Sequence, residues 1–322
     1  MREAIDSILA QSYDNFEFII IDDGSSDDSA SIISLYKDSR IYFIQQDNQG
    51  LAATLNRGIS LAKGKYVARQ DQDDISLPAR LERQAEFMES HPDCALLGTR
   101  AIIWEGDRQT DRVHDHPADD ASLKFELLFN NPFVHASVMM RKSVLEELGG
   151  YAVDPDRQPP EDYELWSRIS RKYKVGNIPE RLTIYREVQR SMSRTQANLL
   201  LDRLITINAE NMAATIGVTE PTQDMFDIAG LIHMGYYRIS KRPNIKRMCE
   251  IVTAAGKKIL DDAPESDVSE RMEFMIKRLK EQYRFFRYKV NWLRHFVYYI
   301  GLAKRSGLTK ILRLGREMFP KI

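Results

Sequence analysis

Cysteine is scarce in this chain, and long apolar runs and a leader-like start are missing. Only Cys94 and Cys249 occur among 322 residues, which excludes a disulfide framework and indicates a reducing compartment. The longest apolar run, Phe296–Ala303, has eight residues, far below the roughly 20 that a membrane-spanning helix needs. Met1–Tyr13 lacks the apolar core of a signal peptide. Together these features predict a cytoplasmic protein.

Glycine and proline are also modest in number, at 16 and 12 residues, which excludes a collagen-like or low-complexity chain. Apolar residues make up 43% of the sequence, enough for a sizeable core. The net charge is only −1, so the overall balance indicates no polyanionic partner. The segment from Arg271 to Ile322, however, contains fourteen Lys or Arg and only three acidic residues. This asymmetry predicts that the two ends meet different partners.

Strand and helix patterns alternate over the first 190 residues. The clearest strand patterns are Phe16–Ile21, Arg40–Gln45 and Lys65–Arg69. Two strand–turn–helix units in succession predict an α/β fold with a mostly parallel sheet. Beyond about Ser193 the apolar period becomes 3.6 and strand signals stop. We therefore expect an α/β domain at 1–192 and an all-helical C-terminal region at 193–322.

Acidic residues follow two of the predicted strands. Asp22 and Asp23 come after the first, and Asp71, Asp73 and Asp74 come after the third. Ligands of open parallel sheets bind at such strand ends, and grouped carboxylates suit Mn²⁺ or Mg²⁺. The alternative is turn chemistry, since Asp, Gly and Ser favour turns in any case. Repulsion among three neighbouring aspartates argues against a purely structural role for the second group.

A third acidic element, Glu161-Asp162, stands behind Pro159-Pro160 at a predicted helix start. The helix dipole there favours an ionised carboxylate, and the alternative is simple capping.

Four ordered blocks now make the chain recognisable. They read FEFIIIDDGSSDDS, NQGLAATLNRGISLAKGKYVARQDQDDISLPARLERQ, NPFVHASVMMRKSVLEELGGY and EDYELWSR. Over residues 1–190 the chain resembles the family 2 glycosyltransferases, inverting enzymes with the Rossmann-like GT-A fold. The helical remainder resembles no family that we can name.

The resemblance implies roles for individual residues. Asp22 and Asp23 match the acidic pair at the donor nucleotide, and Arg186 matches a basic residue near the donor diphosphate. Asp73 matches the metal ligand of the Asp-x-Asp motif. Asp71 would lie nearer the nucleotide and sugar and is the second candidate ligand. Asp162, with Glu161 beside it, matches the catalytic base.

Two further residues are candidates for the acceptor side, His135 in NPFVHAS and Trp166 in the EDYELWSR block. A lone histidine is more often structural, and that alternative stays open for His135. Val188 stands where the family often has a histidine that is linked to the metal or diphosphate, so metal binding would depend on Asp73 and the donor phosphates.

The family usually begins with a strand ending in Pro-x-Tyr-Asn, about 15 residues before the segment equivalent to Glu3–Tyr13. No such strand is present here. A misplaced start or a truncation explains this better than a new topology, and an upstream reading frame would decide.

Aromatic and basic residues are interleaved from Tyr283 to Tyr299. This pattern suits the surface of an anionic membrane, and we expect such contact through 271–322, on the inner face of the plasma membrane. A core helix with a solvated basic face is the alternative, and nucleic acid is not expected.

The sequence therefore predicts a metal-dependent inverting glycosyltransferase. Its donor would be a nucleoside diphosphate sugar and its acceptor a lipid-linked or surface-polysaccharide hydroxyl. The rival hypothesis is a truncated, inactive relative that serves as a binding or scaffold module. A nucleotidyltransferase would need a Gly-rich basic loop near the N-terminus, and none is visible.

Overall fold

The computed structural model describes residues 1–187 and 197–306. Its strands are β1 (Phe18–Asp23), β2 (Ile41–Gln46), β3 (Tyr66–Ala68), β4 (Ile75–Ser76), β5 (Cys94–Glu105), β6 (Arg108–His114), β7 (Met139–Arg141) and β8 (Lys174–Glu187). The helices of the first part are α1 (Arg2–Leu9), α2 (Ser29–Ser34), α3 (Leu51–Leu61), α4 (Arg80–Ser90), α5 (Asp120–Glu126), α6 (Lys142–Leu148) and α7 (Glu161–Ser170). Those of the second part are α8 (Ala197–Ile216), α9 (Gln223–Ile232), α10 (Ile245–Asp262) and α11 (Val268–Ser306).

The α/β class with a helical C-terminal region is confirmed, but the strand directions differ from the prediction. Within the described residues β1 and β2 form a parallel two-stranded sheet, and the other strands form a mixed six-stranded sheet in the order β3-β7-β5-β8-β4, with β6 on β5. In the larger sheet only β5–β8 is parallel. The other four pairs are antiparallel, because β6, a hairpin strand, and the short β4 and β7 follow the part with βαβ character.

The β1–β2 unit joins the rest of the fold through α3 and side-chain contacts. Ala52 and Ile59 of α3 are buried in the core with Val138 and Trp166. Glu17, just before β1, accepts hydrogen bonds from the backbone nitrogens of Lys63 (2.5 Å) and Gly64 (3.2 Å). Since no hydrogen-bonded ladder joins β1 to β3, these contacts and the α3 packing hold the smaller sheet in place.

The helical part shares its core with the α/β part. Phe125 and Phe129, on and just after α5, are buried in one cluster with Ile228 of α9, Val252 of α10 and Leu279 of α11. None of the helices in the described ranges is both long and apolar enough to cross a membrane.

The predicted basic helix over Arg271 to about Phe296 is part of α11, and its beginning supports the core-helix alternative. Met275, Leu279 and Phe286 are buried against the other helices. Phe274, Phe285 and Tyr288 are exposed. The side chains from 289 onward and the segment 307–322 lie outside the described residues, so most of the predicted aromatic stretch is not described.

Candidate active site

The acidic loop after β3 is organised around Arg69, a residue that sequence reasoning missed. The Arg69 guanidinium pairs with Asp71 and donates to the carbonyl of Gln70. Its side chain is mostly buried, with 14% exposed. A cation directly before QDQDD was the available signal, because a cluster of acids leaving a strand needs a counter-charge.

Burial and the neighbouring acids raise the pKa values of Asp73 and Asp74. Burial raises the pKa of Asp73, and the nearby charge of Asp71 raises it further. Burial also raises the pKa of Asp74, to about 8. Asp74 accepts a hydrogen bond from the backbone nitrogen of Arg186 at 2.7 Å. Asp74 therefore joins the acidic loop to the end of β8.

Arg80 on α4 holds both ends of the acidic loop through hydrogen bonds. It is fully buried and donates to the Ser76 hydroxyl (2.6 Å) and to the carbonyl of Arg69 (2.6 Å). Its Nε donates to Gln84 (3.1 Å), which in turn donates to the carbonyl of Leu97 (2.9 Å). The motif Pro-Ala-Arg-Leu-Glu-Arg-Gln thus has a physical reason: its arginine and glutamine satisfy backbone carbonyls that would otherwise be buried without partners.

The predicted base lies at the start of α7. Asp162 accepts hydrogen bonds from its neighbour's backbone nitrogen, Tyr163 N (2.7 Å), and from Asn131 Nδ2 (2.8 Å). We expected the helix dipole to keep this carboxyl readily ionised, but burial outweighs it. Burial, followed by the charge of Glu161, raises the pKa of Asp162 to about 7. Burial likewise raises the pKa of Glu161.

The two acidic motifs form one electrostatic site. The charge of Asp71 raises the pKa of both Glu161 and Asp162, whereas the charge of Arg69 acts to lower the pKa of Glu161. The tertiary structure thus brings together residues separated by about ninety positions in the chain.

His135 adjoins this site. Its Nε2 lies 3.0 Å from the Tyr151 hydroxyl, and burial followed by the charge of Arg69 lowers the pKa of His135 to about 4. Asn56 of α3 fixes Tyr151 by hydrogen bonds with both its backbone nitrogen and its carbonyl, each 2.8 Å long. Asn56 and Tyr151 lie within two of the quoted blocks, but they were not predicted as site residues, because their contact joins positions 95 residues apart.

The acceptor-side prediction for Trp166 is wrong. Trp166 is completely buried and its ring contacts those of His135, Tyr151 and Phe133, at centroid distances of 5.9, 6.2 and 6.3 Å. It lies on the apolar face that α7 presents with Leu165 and Ile169. Trp166 therefore supports His135 from the core and cannot meet an acceptor.

Asp22 and Asp23 use their carboxylates within the smaller sheet. Burial alone would raise both pKa values, but hydrogen bonds outweigh it and lower them. Asp22 accepts from Ser25 N at 2.9 Å. Asp23 accepts from Gln49 N (2.8 Å) and Gly50 N (3.0 Å) at the start of α3. Turn chemistry therefore accounts for their positions, and a nucleotide contact stays a prediction.

The Arg186 side chain is also engaged. It donates to Glu3 of α1 at 2.6 Å, pairs with Asp107 at 3.3 Å and lies over the Trp104 ring, 5.5 Å from its centroid. Its charge reaches the acidic loop, since it lowers the pKa of Asp73. A direct role at the diphosphate stays a prediction.

The oxygen ligands of the acidic loop fit a hard divalent cation. Within the described ranges no group of three or more His, Cys, Asp or Glu side chains converges into a complete metal site. Asp73 and Asp71 nevertheless repel each other, and a cation between them would remove that repulsion. These two aspartates are the ones that would hold Mn²⁺ or Mg²⁺.

Comparisons with known proteins agree with this fold. The model "Glycosyl transferase family 2" matches residues 1–149. A Bacillus subtilis (strain 168) protein designated as a glycosyltransferase, EpsE, is 35% identical over 214 residues, which are 64% of this chain and 75% of that protein. The O-antigen biosynthesis glycosyltransferase WbnJ of Escherichia coli is 32% identical over 60% of this chain and 76% of its own. The amylovoran biosynthesis glycosyltransferase AmsE of Erwinia amylovora is 30% identical, over 56% and 68%.

Among solved structures, S. aureus TarS 1–349 in complex with UDP-GlcNAc aligns with a TM-score of 0.57 at 12% identity, over 90% of this chain and 87% of that one. The same protein in complex with UDP gives 0.56 at 13%. These likenesses concern the fold alone. The chain belongs to glycosyltransferase family 2, and its fold is GT-A. It is a glycosyltransferase whose relatives include enzymes of polysaccharide biosynthesis.

Proposed function

We propose that this glycosyltransferase moves a sugar from a nucleoside diphosphate donor to an acceptor hydroxyl with inversion of the anomeric centre. One observation carries the proposal: Asp162 has its pKa raised to about 7, by burial first and in part by the charge of Asp71 in the acidic loop. A general base works best when its pKa lies near the operating pH. A base and an acidic donor loop suffice for a single in-line displacement.

In this displacement the acceptor oxygen forms a bond to the anomeric carbon as the bond from that carbon to the diphosphate breaks. The proton of the acceptor hydroxyl goes to a carboxylate oxygen of Asp162. Asn131 Nδ2 and Tyr163 N donate to that carboxylate and fix its direction. No enzyme nucleophile is required, because inversion needs only one substitution step.

The donor end of the site is acidic, although the leaving diphosphate is an anion. Asp73 and Asp71 would hold Mn²⁺ or Mg²⁺, which when bound neutralises the charge that develops on the leaving group. Arg69 pairs with Asp71 and so fixes one edge of the loop. The TarS structures contain UDP and UDP-GlcNAc, which makes uridine diphosphate sugars the first donors to try.

We propose a lipid-linked or surface-polysaccharide acceptor, supported by the names of AmsE and WbnJ. Cations concentrated in 271–322 support electrostatic attachment to an anionic membrane surface. The protein would then work in the cytoplasm, peripherally on the inner face of the plasma membrane.

The rival proposal, an inactive scaffold or binding module, has one specific observation in its favour. The β1–β2 unit is not hydrogen-bonded to the larger sheet, and the carboxylates of Asp22 and Asp23 already accept hydrogen bonds from the loops after β1 and β2. Turnover of a nucleoside diphosphate sugar in the presence of Mn²⁺ separates the two proposals, since an inactive module would release no nucleotide product even if it bound the donor.

The test of the base uses Asp162→Asn in the full chain. The side chain keeps its size but can no longer take the proton, so transfer should fall by about 10²–10⁴-fold, while donor affinity stays the same. Glu161→Gln is the matched control and should be milder. Near-normal transfer by Asp162→Asn together with loss in Glu161→Gln would reverse the assignment within the pair. Full activity in both would remove the base from the mechanism.

A further inference from the structure

Four large side chains are exposed at one corner of the helical part. Met234 is 64% exposed, Tyr237 63%, Phe285 53% and Tyr288 71%. Single exposed apolar residues need no explanation, whereas a contiguous group marks an interaction surface. We call this group of four residues the exposed corner patch.

Contacts between the loop after α9 and helix α11 bring the two parts of the patch near each other. The Tyr236 ring, next to Tyr237, lies 6.4 Å from Phe285 and 5.7 Å from Phe286, centroid to centroid. Tyr283 of α11 donates to the carbonyl of Pro243 at 3.3 Å. Tyr288 follows Phe285 by three residues, so both lie on one face of α11. The loop and the helix therefore present one surface.

The backbone of the loop holds Met234 outward. Met234 has φ +58° and is the non-glycine residue with positive φ in the described ranges. Its neighbour Gly235 packs so closely on α8 that a Cβ there would lie 2.5 Å from Ile205 Cδ1. A large apolar side chain kept exposed in a disfavoured conformation points to a function for that side chain.

Cations surround the patch. Arg238, Lys241, Arg242, Arg284 and Arg287 are all exposed. Asp202 pairs with Arg238 at 3.7 Å and accepts a hydrogen bond from the Tyr237 hydroxyl, so one carboxylate lies among these cations. Apolar and aromatic side chains with basic neighbours fit the boundary between lipid headgroups and acyl chains. The core of a protein interface, in contrast, is depleted of charged residues.

Helix α8 contacts both the loop that carries part of the patch and the loop that precedes the predicted base. Asp202 is followed on α8 by Arg203, which donates to the carbonyls of Pro155 and Gln158. These residues belong to the loop that leads directly to Glu161 and Asp162. Helix α8 therefore links the patch to the segment that carries the predicted base.

We infer that the exposed corner patch docks the enzyme on an anionic lipid bilayer and so brings a membrane-borne acceptor hydroxyl toward Asp162. The inference rests on the proposed function, since it names the surface that meets the membrane. It differs from attachment by the basic tail alone, because Met234 and Tyr237 lie outside 271–322.

The experiment is co-sedimentation of the full chain with vesicles of equal parts dioleoyl phosphatidylglycerol and phosphatidylcholine, with pure phosphatidylcholine as the neutral arm. The double variant Met234→Ser/Tyr237→Ser should lower the partition coefficient about tenfold, since two insertable side chains are lost. Leu35→Ser/Tyr42→Ser is the matched control, because these residues are 64% and 53% exposed, just after α2 and on β2. It should bind like wild type, and added salt should weaken wild-type binding.

A thermal melt confirms that each variant is folded, and Tyr288→Ser on α11 serves as a second variant. Wild-type binding by both patch variants would overturn the inference, as would equal binding to neutral vesicles or no vesicle binding at all. A shift from dimer to monomer in the double variant, without lipid, would identify a second copy as the occupant instead. UDP binding measured without lipid tests the donor site separately, so the two proposals can fail independently.

Discussion

Asp162 shows how burial sets the chemistry of a single carboxyl. Its pKa is raised to about 7, above the unfolded value of about 3.9. A carboxyl with a raised folded pKa contributes stability below the unfolded pKa, and this contribution is lost as pH rises through the folded pKa. Between about pH 4 and 7 the unfolded chain loses the Asp162 proton while the folded protein keeps it. The free energy of unfolding therefore falls as the pH rises through this range.

Asp162→Asn should consequently be more stable than wild type at pH 8, by on the order of 1–3 kcal/mol, and the gain should vanish near pH 4. Denaturant unfolding at the two pH values measures this difference. An equal effect of the substitution at both would show that the carboxyl is not held in an unfavourable charged state.

Asp73 should matter for the donor rather than for stability. Asp73→Asn removes an anionic oxygen and relieves repulsion with Asp71, so the fold should be kept while Mn²⁺-dependent UDP binding weakens about tenfold or more. Calorimetry measures it, with the exposed Asp47→Asn as control. Unchanged affinity in Asp73→Asn would exclude this residue as the metal ligand.

At the level of helices, α8 supports the base helix α7. Asn208 of α8 is fully buried and donates to the Tyr163 hydroxyl (2.6 Å) and to the carbonyl of Leu128 (2.8 Å). Asn211, one turn on, donates to the carbonyl of Leu127 (2.7 Å) and to the Ser167 hydroxyl (2.8 Å). The helical region therefore helps to position Asp162, although it contributes no residue to the acidic motifs.

Asn208→Leu should cost about 1–3 kcal/mol of stability, because it leaves buried polar groups without partners. It should also lower kcat for transfer while donor affinity stays the same, since Asn208 bonds α7 and the segment after α5. Thr215→Val, at a half-buried position of the same helix, is the control. A loss of stability with unchanged kcat would reduce α8 to a purely structural role.

For the molecule as a whole, the shared core makes the two parts interdependent. Phe125 and Phe129 of the α/β part are buried by helices α9 to α11. A fragment ending at residue 192 would expose these side chains, each contributing about 1.5–3 kcal/mol by burial. A typical domain has only about 5–15 kcal/mol of net stability.

We therefore expect the 1–192 fragment to lose cooperative unfolding, whereas the full chain keeps it. Near-ultraviolet circular dichroism during denaturation distinguishes the two. A sharp transition in the fragment would show that the α/β part folds alone, and the predicted boundary would then also be a folding boundary.

Local patterns explain most of what could be predicted. Strands β1, β2 and β5 and helix α3 follow from period and turn chemistry, which act over neighbouring residues. The fold class and the acidic motifs came from blocks such as VARQDQDD and EDYELW. Hairpin strand β6 was missed because its residues are mostly polar and exposed. Most of β8 was missed because its pairing with β5 joins residues about eighty positions apart. A 3₁₀ turn at His135–Ser137 precedes β7, and there the Ser137 hydroxyl donates to the carbonyl of Val134 at 2.8 Å.

By itself, the sequence determined which chemistry is available: carboxylates after strands, a carboxyl pair at a helix start, and basic residues toward the end. Only the tertiary structure decided which of these groups interact. It buried Trp166 and placed Arg69 against Asp71. It also placed Asp22 and Asp23 where they accept hydrogen bonds from the loops after β1 and β2. It also raised the pKa of Asp162, because burial and the charge of Glu161 outweigh the dipole of α7. Desolvation and charge proximity depend on three-dimensional distance, which spacing along a chain does not specify.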